Sequence, residues 1–229
     1  MDRRRKYIMV LDVETTGNIG FPLVYDLGFA IVDKKGNIYE EKSFVISEIF
    51  NDKKLMNTAY YAEKIPKYLE DLEKGTRKKV YFLQAREEFL KLMKKYNVNT
   101  ISAYNLQFDM RALRSTTEKL FGKGKRFLTK EYKDIDLLCI WSFACEGIFT
   151  QKNLQKMALE KGWFTEKKNF LTNAEVCYRY ITRNFDFEES HTGLEDVKIE
   201  AKILAKCYAQ HKKHESGIIS HPWRIPNKK

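Results

Sequence analysis

Residues 7–17 read YIMVLDVETTG, an apolar and β-branched run that two acidic residues interrupt. The run predicts a buried strand over 7–13. Because alternate side chains of a strand point to the same face, Asp12 and Glu14 should share one face, about 7 Å apart. Two like charges on a buried strand are costly unless cations or hydrogen-bond donors neutralise them. The alternative is a strand end that emerges into the Thr-Thr-Gly turn with both carboxylates solvated.

Outside this run, strands and helices follow one another in an order that predicts a mixed α/β sheet with helices packed on it. A Lys-Lys-Gly-Asn turn joins the second and third strands into an antiparallel hairpin. A capping-box sequence, Thr192 to Glu195, opens the last helix. The predicted strands are 7–13, 26–33, 38–46, 98–104 and 132–136. The predicted helices are 52–72 with an interruption near Pro66, 82–96, 106–121, 137–147 and 192–210, with shorter helices within 150–187.

Composition narrows the class of protein. The 229 residues include 42 basic and 31 acidic ones, a net charge of +11, and 43% are hydrophobic. That apolar content can bury a core and excludes a disordered chain, and no run approaches the roughly 20 apolar residues that span a bilayer. The four cysteines are widely spaced in the sequence, and the N-terminal residues lack the apolar core of a signal peptide. Both features favour a protein of the reducing cytoplasm. We expect one domain over 1–212, with 150–187 as a variable helical segment, and a basic irregular tail over 213–229.

Two more acids fall on the core-facing side of predicted helices. Asp109 lies within the apolar stripe of helix 106–121. The alternative is a favourable helix-dipole contact, with Asn105 as the N-cap. In the last helix, Asp196 shares its flank with Cys207 in a buried neighbourhood, whereas Glu195 is better explained as a solvated cap. Asp196 is therefore the better site candidate of the two.

The acids and one histidine suggest a site. His191 stands five residues ahead of Asp196, although a lone histidine is more often structural or solvated. Asp12, Glu14, Asp109 and Asp196 could converge at one end of the sheet. Four oxygen ligands without cysteine suit Mg²⁺ or Mn²⁺ rather than zinc. Clustered acids on a basic protein fit metal-assisted attack on phosphodiesters.

The motifs that carry these residues resemble those of the DEDD 3′–5′ exonucleases, in the histidine-containing, DnaQ-like branch (DEDDh). The stretches DVETTG at 12–17, NLQFD at 105–109 and HTGLED at 191–196 are similar to the first, second and third motifs of that family, in the family's order. The resemblance implies a ribonuclease H-like fold, a mixed five-stranded sheet flanked by helices. The Thr-Gly pair of the third motif departs from the family pattern, and Gly193 should loosen the first helical turn.

The resemblance also implies roles for individual residues. Asp12, Glu14 and Asp196 would hold one divalent cation, Asp12 would bridge to a second, and Asp109 would ligate the second. The two cations would be Mg²⁺ or Mn²⁺, and His191 would be the general base. Asp134 and Asp136 stay off the metal set, since Asp136 should end a strand and start a helix. Contacts to the terminal nucleotide would come from Thr15, Thr16, Asn105 and Phe108, with core packing an equal role for Phe108.

The expected function is therefore a metal-dependent 3′–5′ exonuclease that acts on single-stranded nucleic acid, DNA rather than RNA, and releases nucleoside 5′-monophosphates. Basic stretches at 3–6, 119–133 and 206–229 could follow a phosphate backbone or be solvated surface. The alternatives are a 3′–5′ exoribonuclease and a non-catalytic nucleic-acid-binding or scaffolding relative. A polymerase or repair protein is a candidate partner, and no membrane association is expected.

Overall fold

A computed structural model describes residues 6–210 and 219–227. The predictions made for Arg3–Arg5, for 211–218 and for 228–229 lie outside the described residues. They include most of the first and third basic stretches and much of the C-terminal tail. Within the described part, residues 219–227 contain one 3₁₀ turn, Pro222–Arg224, which packs on the helix that follows the last strand.

A six-stranded mixed sheet forms the centre of the protein, in the order β4-β3-β2-β1-β5-β6. β1 and β2 pair antiparallel, as do β2 and β3, whereas the remaining pairs are parallel. The strands are β1 (Ile8–Thr16), β2 (Leu23–Val32), β3 (Ile38–Ile46), β4 (Lys78–Val80), β5 (Thr100–Ala103) and β6 (Asp136–Cys139). This arrangement confirms the α/β class and the mixed sheet.

Helices cover both faces of the sheet. The three longest are α4, α5 and α9, and two of the expected short helices, α7 and α8, occupy the segment 150–187. None of the helices in the described ranges combines the length and the apolar composition needed to cross a bilayer. The helices are α1 (Ser47–Phe50), α2 (Lys53–Met56), α3 (Ile65–Glu73), α4 (Phe82–Lys95), α5 (Leu106–Phe121), α6 (Ile140–Gly147), α7 (Lys152–Lys161), α8 (Ala174–Thr182) and α9 (Gly193–Ala209).

Two details of the predicted sheet are wrong. The sheet has six strands rather than five, because β4 pairs in parallel with the end of β3. β4 has three residues, two of them exposed lysines, so it has no apolar run to reveal it. The last strand lies at 136–139 rather than 132–136, since Lys130–Tyr132 form a 3₁₀ turn and Thr100 pairs with Asp136. Asp136 therefore begins a strand and does not end one.

β1 separates two hydrophobic clusters. Its odd-numbered residues, such as Leu11, pack with α4 and α5, and its even-numbered residues, such as Val10, pack with α6, α8 and α9. Asp12 and Glu14 continue the even-numbered face, so they lie on the side of α9. β1 pairs with β5 only from Ile8 to Val10. Beyond that point the edge of β1 is open, and the start of α5 lies there.

Candidate active site

A contact between two glycines brings the third motif onto the sheet. Gly28 on β2 pairs with Asp12 on β1. A Cβ atom on Gly28 would lie 2.2 Å from the carbonyl carbon of Gly193, and a Cβ on Gly193 would lie 2.8 Å from the backbone nitrogen of Gly28. No side chain fits between the two backbones. Gly193 therefore does more than loosen a helical turn: it lets α9 begin directly against β2, beside Asp12.

A buried ion pair also stabilises the junction between the start of α9 and β2. Asp26 is fully buried and lies opposite Glu14 on β2. Its Oδ2 accepts hydrogen bonds from the backbone N–H of Gly193 at 3.1 Å, the hydroxyl of Tyr68 at 2.7 Å and Nη1 of Arg77 at 3.1 Å. The sequence does not indicate this network, because Arg77 is 51 residues from Asp26 and no local pattern pairs the two residues.

Removing the Asp26 carboxylate is expected to destabilise the fold by about 3–5 kcal/mol, because Asp26→Ala leaves the Arg77 guanidinium buried without its main partner. Urea unfolding measures the change. Asp71→Ala is the matched control: Asp71 also contacts Arg77, at 3.4 Å, but its side chain is partly exposed, so its loss should cost less than about 1 kcal/mol. Equal costs for the two variants would contradict this role of Asp26.

Glu195 contributes to the junction rather than to the acidic cluster. It accepts a hydrogen bond from the hydroxyl of Thr192 at 2.6 Å, and its other contact is Arg77 Nη2 at 3.6 Å. The Thr192 side chain makes no capping hydrogen bond to the backbone of α9, so the capping box that the sequence predicted does not form.

The sequence-predicted acids and histidine lie together at the carboxyl end of β1. Glu14, His191 and Asp196 each offer a ligand atom, and these atoms all lie within 4.8 Å of one another. Asp109 is buried and its carboxylate accepts from its own N–H and from the N–H of Val13, on the open edge of β1. Asp12 Oδ2 is buried and has no hydrogen-bond partner among the described residues.

Burial dominates the electrostatics of the cluster. It raises the pKa of Glu14 to about 9, and the neighbouring Asp196 carboxylate contributes to that rise. Burial likewise raises the pKa of Asp196 to about 8 and that of Asp109 to about 7. The pKa of Asp12 is raised well above its ordinary value by burial and by the surrounding acids. In the described part of the chain, no lysine or arginine pairs with these four carboxylates.

An uncompensated buried carboxylate is costly, so the cluster suits a cation. The unpartnered oxygen of Asp12 and the raised pKa values of its neighbours are the features that a divalent ion would relieve. Carboxylate oxygens without a cysteine ligand match Mg²⁺ or Mn²⁺ chemistry. The residues present therefore fit the metals that the sequence implied.

The cluster contains two further acids, Glu200 and Glu189, that were not among the predicted site residues. Glu200 is buried on α9, its Oε2 has no partner among the described residues, and it exerts the largest charge effect on Asp12. Because Glu200 follows Asp196 by four residues, helical spacing alone places it beside that acid. Burial raises the pKa of Glu189, just before His191, to about 7.

The imidazole of His191 is held against an aromatic ring. Tyr61 stacks on it with ring centroids 4.0 Å apart and an 11° angle between the planes. His191 also has a left-handed backbone, with φ of 52°. Burial lowers its pKa, and Lys64 lowers it further. The ring is therefore neutral at pH 7 and able to accept a proton. No sequence signal marked Tyr61.

The residues expected to contact a nucleotide differ in their placement. The Thr16 hydroxyl is buried and donates a hydrogen bond to the carbonyl of Leu55, so its side chain anchors α2. Thr15 is half-buried. Asn105 is exposed at the start of α5, and its side chain makes no capping hydrogen bond. Phe108 is half-buried and packs against the first hydrophobic cluster.

No family model and no curated protein matches the chain. Among solved structures, cell-death related nuclease 4 superposes with a TM-score of 0.50 and 11% identity, over 90% of this chain and 64% of that one. E. coli exonuclease I with a dT13 oligonucleotide gives 0.53 and 14%, over 88% and 40%. The zinc-bound E. coli exonuclease I–ssDNA complex gives 0.52 and 13%, over 88% and 41%.

The chain thus spans between 40% and 64% of the length of these three structures. At such low identity a superposition establishes architecture. The chain shares the fold of these structures, and its mixed sheet flanked by helices is consistent with the ribonuclease H-like fold that the three motifs predicted.

Proposed function

We propose that this protein is a metal-dependent 3′–5′ exonuclease that acts on single-stranded nucleic acid, DNA in preference to RNA. The observation that carries the proposal is the set of uncompensated carboxylates, with the buried and unpartnered Oδ2 of Asp12 among them, beside a neutral His191. A protein that only binds nucleic acid gains nothing from buried acids that repel phosphate. The named neighbours, a nuclease and exonuclease I solved with single-stranded DNA, support the same activity.

The acidic cluster would hold two divalent cations, Mg²⁺ or Mn²⁺. Asp12, Glu14 and Asp196 would bind one of them, and Asp12 with Asp109 would bind the other. When bound, the cations would stabilise negative charge on the oxygens of the phosphate being cleaved. Glu200 would add a further negative charge that favours cation binding next to Asp12.

The chain's own groups would do the rest of the chemistry. His191 Nδ1 or Nε2 would accept the proton of the attacking water. The water oxygen bonds to the phosphorus of the last phosphodiester, and the bond to the 3′-oxygen of the preceding nucleotide breaks. That oxygen takes up a proton, and a nucleoside 5′-monophosphate leaves. Thr15, Thr16, Asn105 and Phe108 would position the terminal nucleotide. A cytoplasmic location and a polymerase or repair partner stay predictions.

A gel assay tests the proposal with 5′-labelled DNA and RNA oligonucleotides of one sequence, in Mg²⁺, Mn²⁺ or EDTA, beside Asp196→Asn. We expect a metal-dependent ladder that shortens from the 3′ end and is missing in the variant. The faster substrate decides between deoxyribonuclease and exoribonuclease. Binding of both oligonucleotides without any shortening would instead support a non-catalytic relative.

Replacing the proposed base is expected to slow turnover selectively. His191→Gln should lower kcat at pH 7.5 by about 10²- to 10⁴-fold, the usual worth of a general base, with little change in Mn²⁺ affinity measured by calorimetry. His221→Gln serves as the control, because His221 is exposed and outside the cluster. A kcat for His191→Gln within threefold of the control would remove His191 from the reaction.

A further inference from the structure

A basic groove of about 1230 Å³ lies between α5 and the segment 124–137. We infer that this groove binds the phosphate backbone of the single strand upstream of its 3′ end. The inference rests on the proposed exonuclease function and assigns the path of its substrate.

The groove is lined mainly by positively charged side chains. Seven lysines and arginines line it against one acid, Glu118. Glu118 pairs with Arg114 at 3.4 Å. Lys125, Arg126 and Lys130 are exposed and have no ion-pair partner among the residues that the structure describes. Cations that are not neutralised by the protein are free to contact phosphates.

The basic segment is fixed in place by the core. Phe127 is buried, with its ring 5.2 Å from that of Phe89 on α4. Arg86, also on α4, donates hydrogen bonds to the carbonyls of Phe127 at 2.5 Å and Arg126 at 3.4 Å. A solvated loop needs neither anchor. The anchors hold the neighbouring lysines over the groove, so binding would cost little ordering entropy.

The groove borders the loop that follows the first motif. Its lining includes Gly20 and Phe21 of that loop, together with Gln107 and Arg111 on the face of α5 that is turned about 160° away from Asp109. The guanidinium of Arg111 lies 5.5 Å from the ring centroid of Phe108. A strand whose last phosphodiester lies at the acidic cluster would cross the loop at Gly20 and Phe21 to enter the groove.

The dimensions and the lining suit several nucleotides. From Gln107 to Glu118, α5 rises about 17 Å, equivalent to about five stacked nucleotides at 3.4 Å each. The lining also offers aromatic surface: Phe21 is 40% exposed, and Tyr132 is half-buried. Aromatic rings beside cations accept the bases of a single strand without sequence preference.

The test compares two charge reversals of equal size. The groove variant is Lys125→Glu with Lys130→Glu, and the control is Lys152→Glu with Lys156→Glu, on the exposed face of α7. Both are made in an Asp196→Asn background, and fluorescence anisotropy measures binding of dT8 and dT2 in Mg²⁺. We expect the groove variant to raise the Kd for dT8 at least tenfold and the control to raise it less than twofold, with dT2 affected little by either.

The salt dependence gives a second readout. Loss of two phosphate contacts should flatten the slope of log K against log salt by about 1.4, at about 0.7 per contact for a single strand. Equal Kd values and equal slopes for the two variants would overturn the inference, as would a groove effect confined to blunt duplex DNA. Thermal unfolding checks that both variants are folded.

A small substrate separates this inference from the proposed function. The p-nitrophenyl ester of thymidine 5′-monophosphate reaches the acidic cluster but is too short to enter the groove. If the wild type hydrolyses neither this ester nor dT8, the exonuclease proposal fails. If it hydrolyses both while the groove variant binds dT8 like the control, only the groove assignment fails.

Discussion

Asp12→Asn is expected to abolish activity and to stabilise the metal-free protein at the same time. Loss of one carboxylate charge from the metal site should forfeit several kcal/mol of transition-state stabilisation, at least about 10³-fold in kcat. In EDTA the same change removes a buried charge that its neighbours repel. We therefore expect the Tm of Asp12→Asn in EDTA to be higher than that of the wild type.

The stability of the metal-free protein should change with pH in one direction. In the folded, metal-free protein the pKa values of Asp109, Asp196 and Glu14 are raised to about 7, 8 and 9, against about 4 in the unfolded chain. The folded state therefore holds more protons between pH 4 and 9, and stability falls as pH rises through that window. In EDTA, wild-type Tm should be higher at pH 5 than at pH 8, and Mg²⁺ should reduce the difference.

Scanning fluorimetry at pH 5 and pH 8, with EDTA or Mg²⁺, measures the Tm change in Asp12→Asn and the pH dependence of the wild-type Tm. Asp136→Asn is the matched control, since Asp136 is exposed at the start of β6 and outside the cluster. It should change neither kcat nor the pH profile. A lower Tm for Asp12→Asn in EDTA, or activity within tenfold of wild type, would show that Asp12 is not a buried metal ligand.

Gly28→Ala is expected to have the largest structural effect of any single methyl addition. The new Cβ would lie 2.2 Å from the carbonyl carbon of Gly193 and 2.5 Å from the nitrogen of Leu194. Both are backbone atoms, so the start of α9 must move. Overpacking of this kind costs about 1–3 kcal/mol or more. A shift of about 1 Å in Asp196 should lower kcat by about 10²-fold.

Gly162→Ala is the control for this prediction. Gly162 ends α7 with φ of 69°, far from the acidic cluster, and a methyl group added there would meet no other atom within 4 Å. Its replacement should cost about 1–2 kcal/mol of backbone strain and leave kcat unchanged. Wild-type kcat in Gly28→Ala, with normal unfolding, would contradict the close approach of α9 to β2.

The acidic cluster could be predicted from the sequence because each acid occupies a position where the local pattern calls for an apolar residue. Asp12 and Glu14 break an apolar strand, and Asp109 and Asp196 lie on apolar helix faces. Glu200 occupies such a position too and could have been included. These signals are local, since strand and helix periods fix which residues share a face.

The remaining features depend on pairings distant in sequence. The Asp26–Arg77 ion pair and the stack of Tyr61 on His191 arise only when separate elements meet. The three-residue β4 exists because β3 offers an edge, and β6 is placed by its register with β5. Patterns of hydrophobicity do not encode such partners, so the motifs were visible in the sequence while the residues that position them were not.

Hydrolysis of a single-stranded oligonucleotide in H₂¹⁸O tests the central claim most directly. Mass spectrometry of the first products should find nucleoside 5′-monophosphates that carry one ¹⁸O in the phosphate, and chains shortened by one nucleotide with a 3′-hydroxyl. All of this should require Mg²⁺ or Mn²⁺ and vanish in Asp12→Asn. Internal fragments, nucleoside 3′-monophosphates or unlabelled phosphate would contradict attack of water on the last phosphodiester at this site.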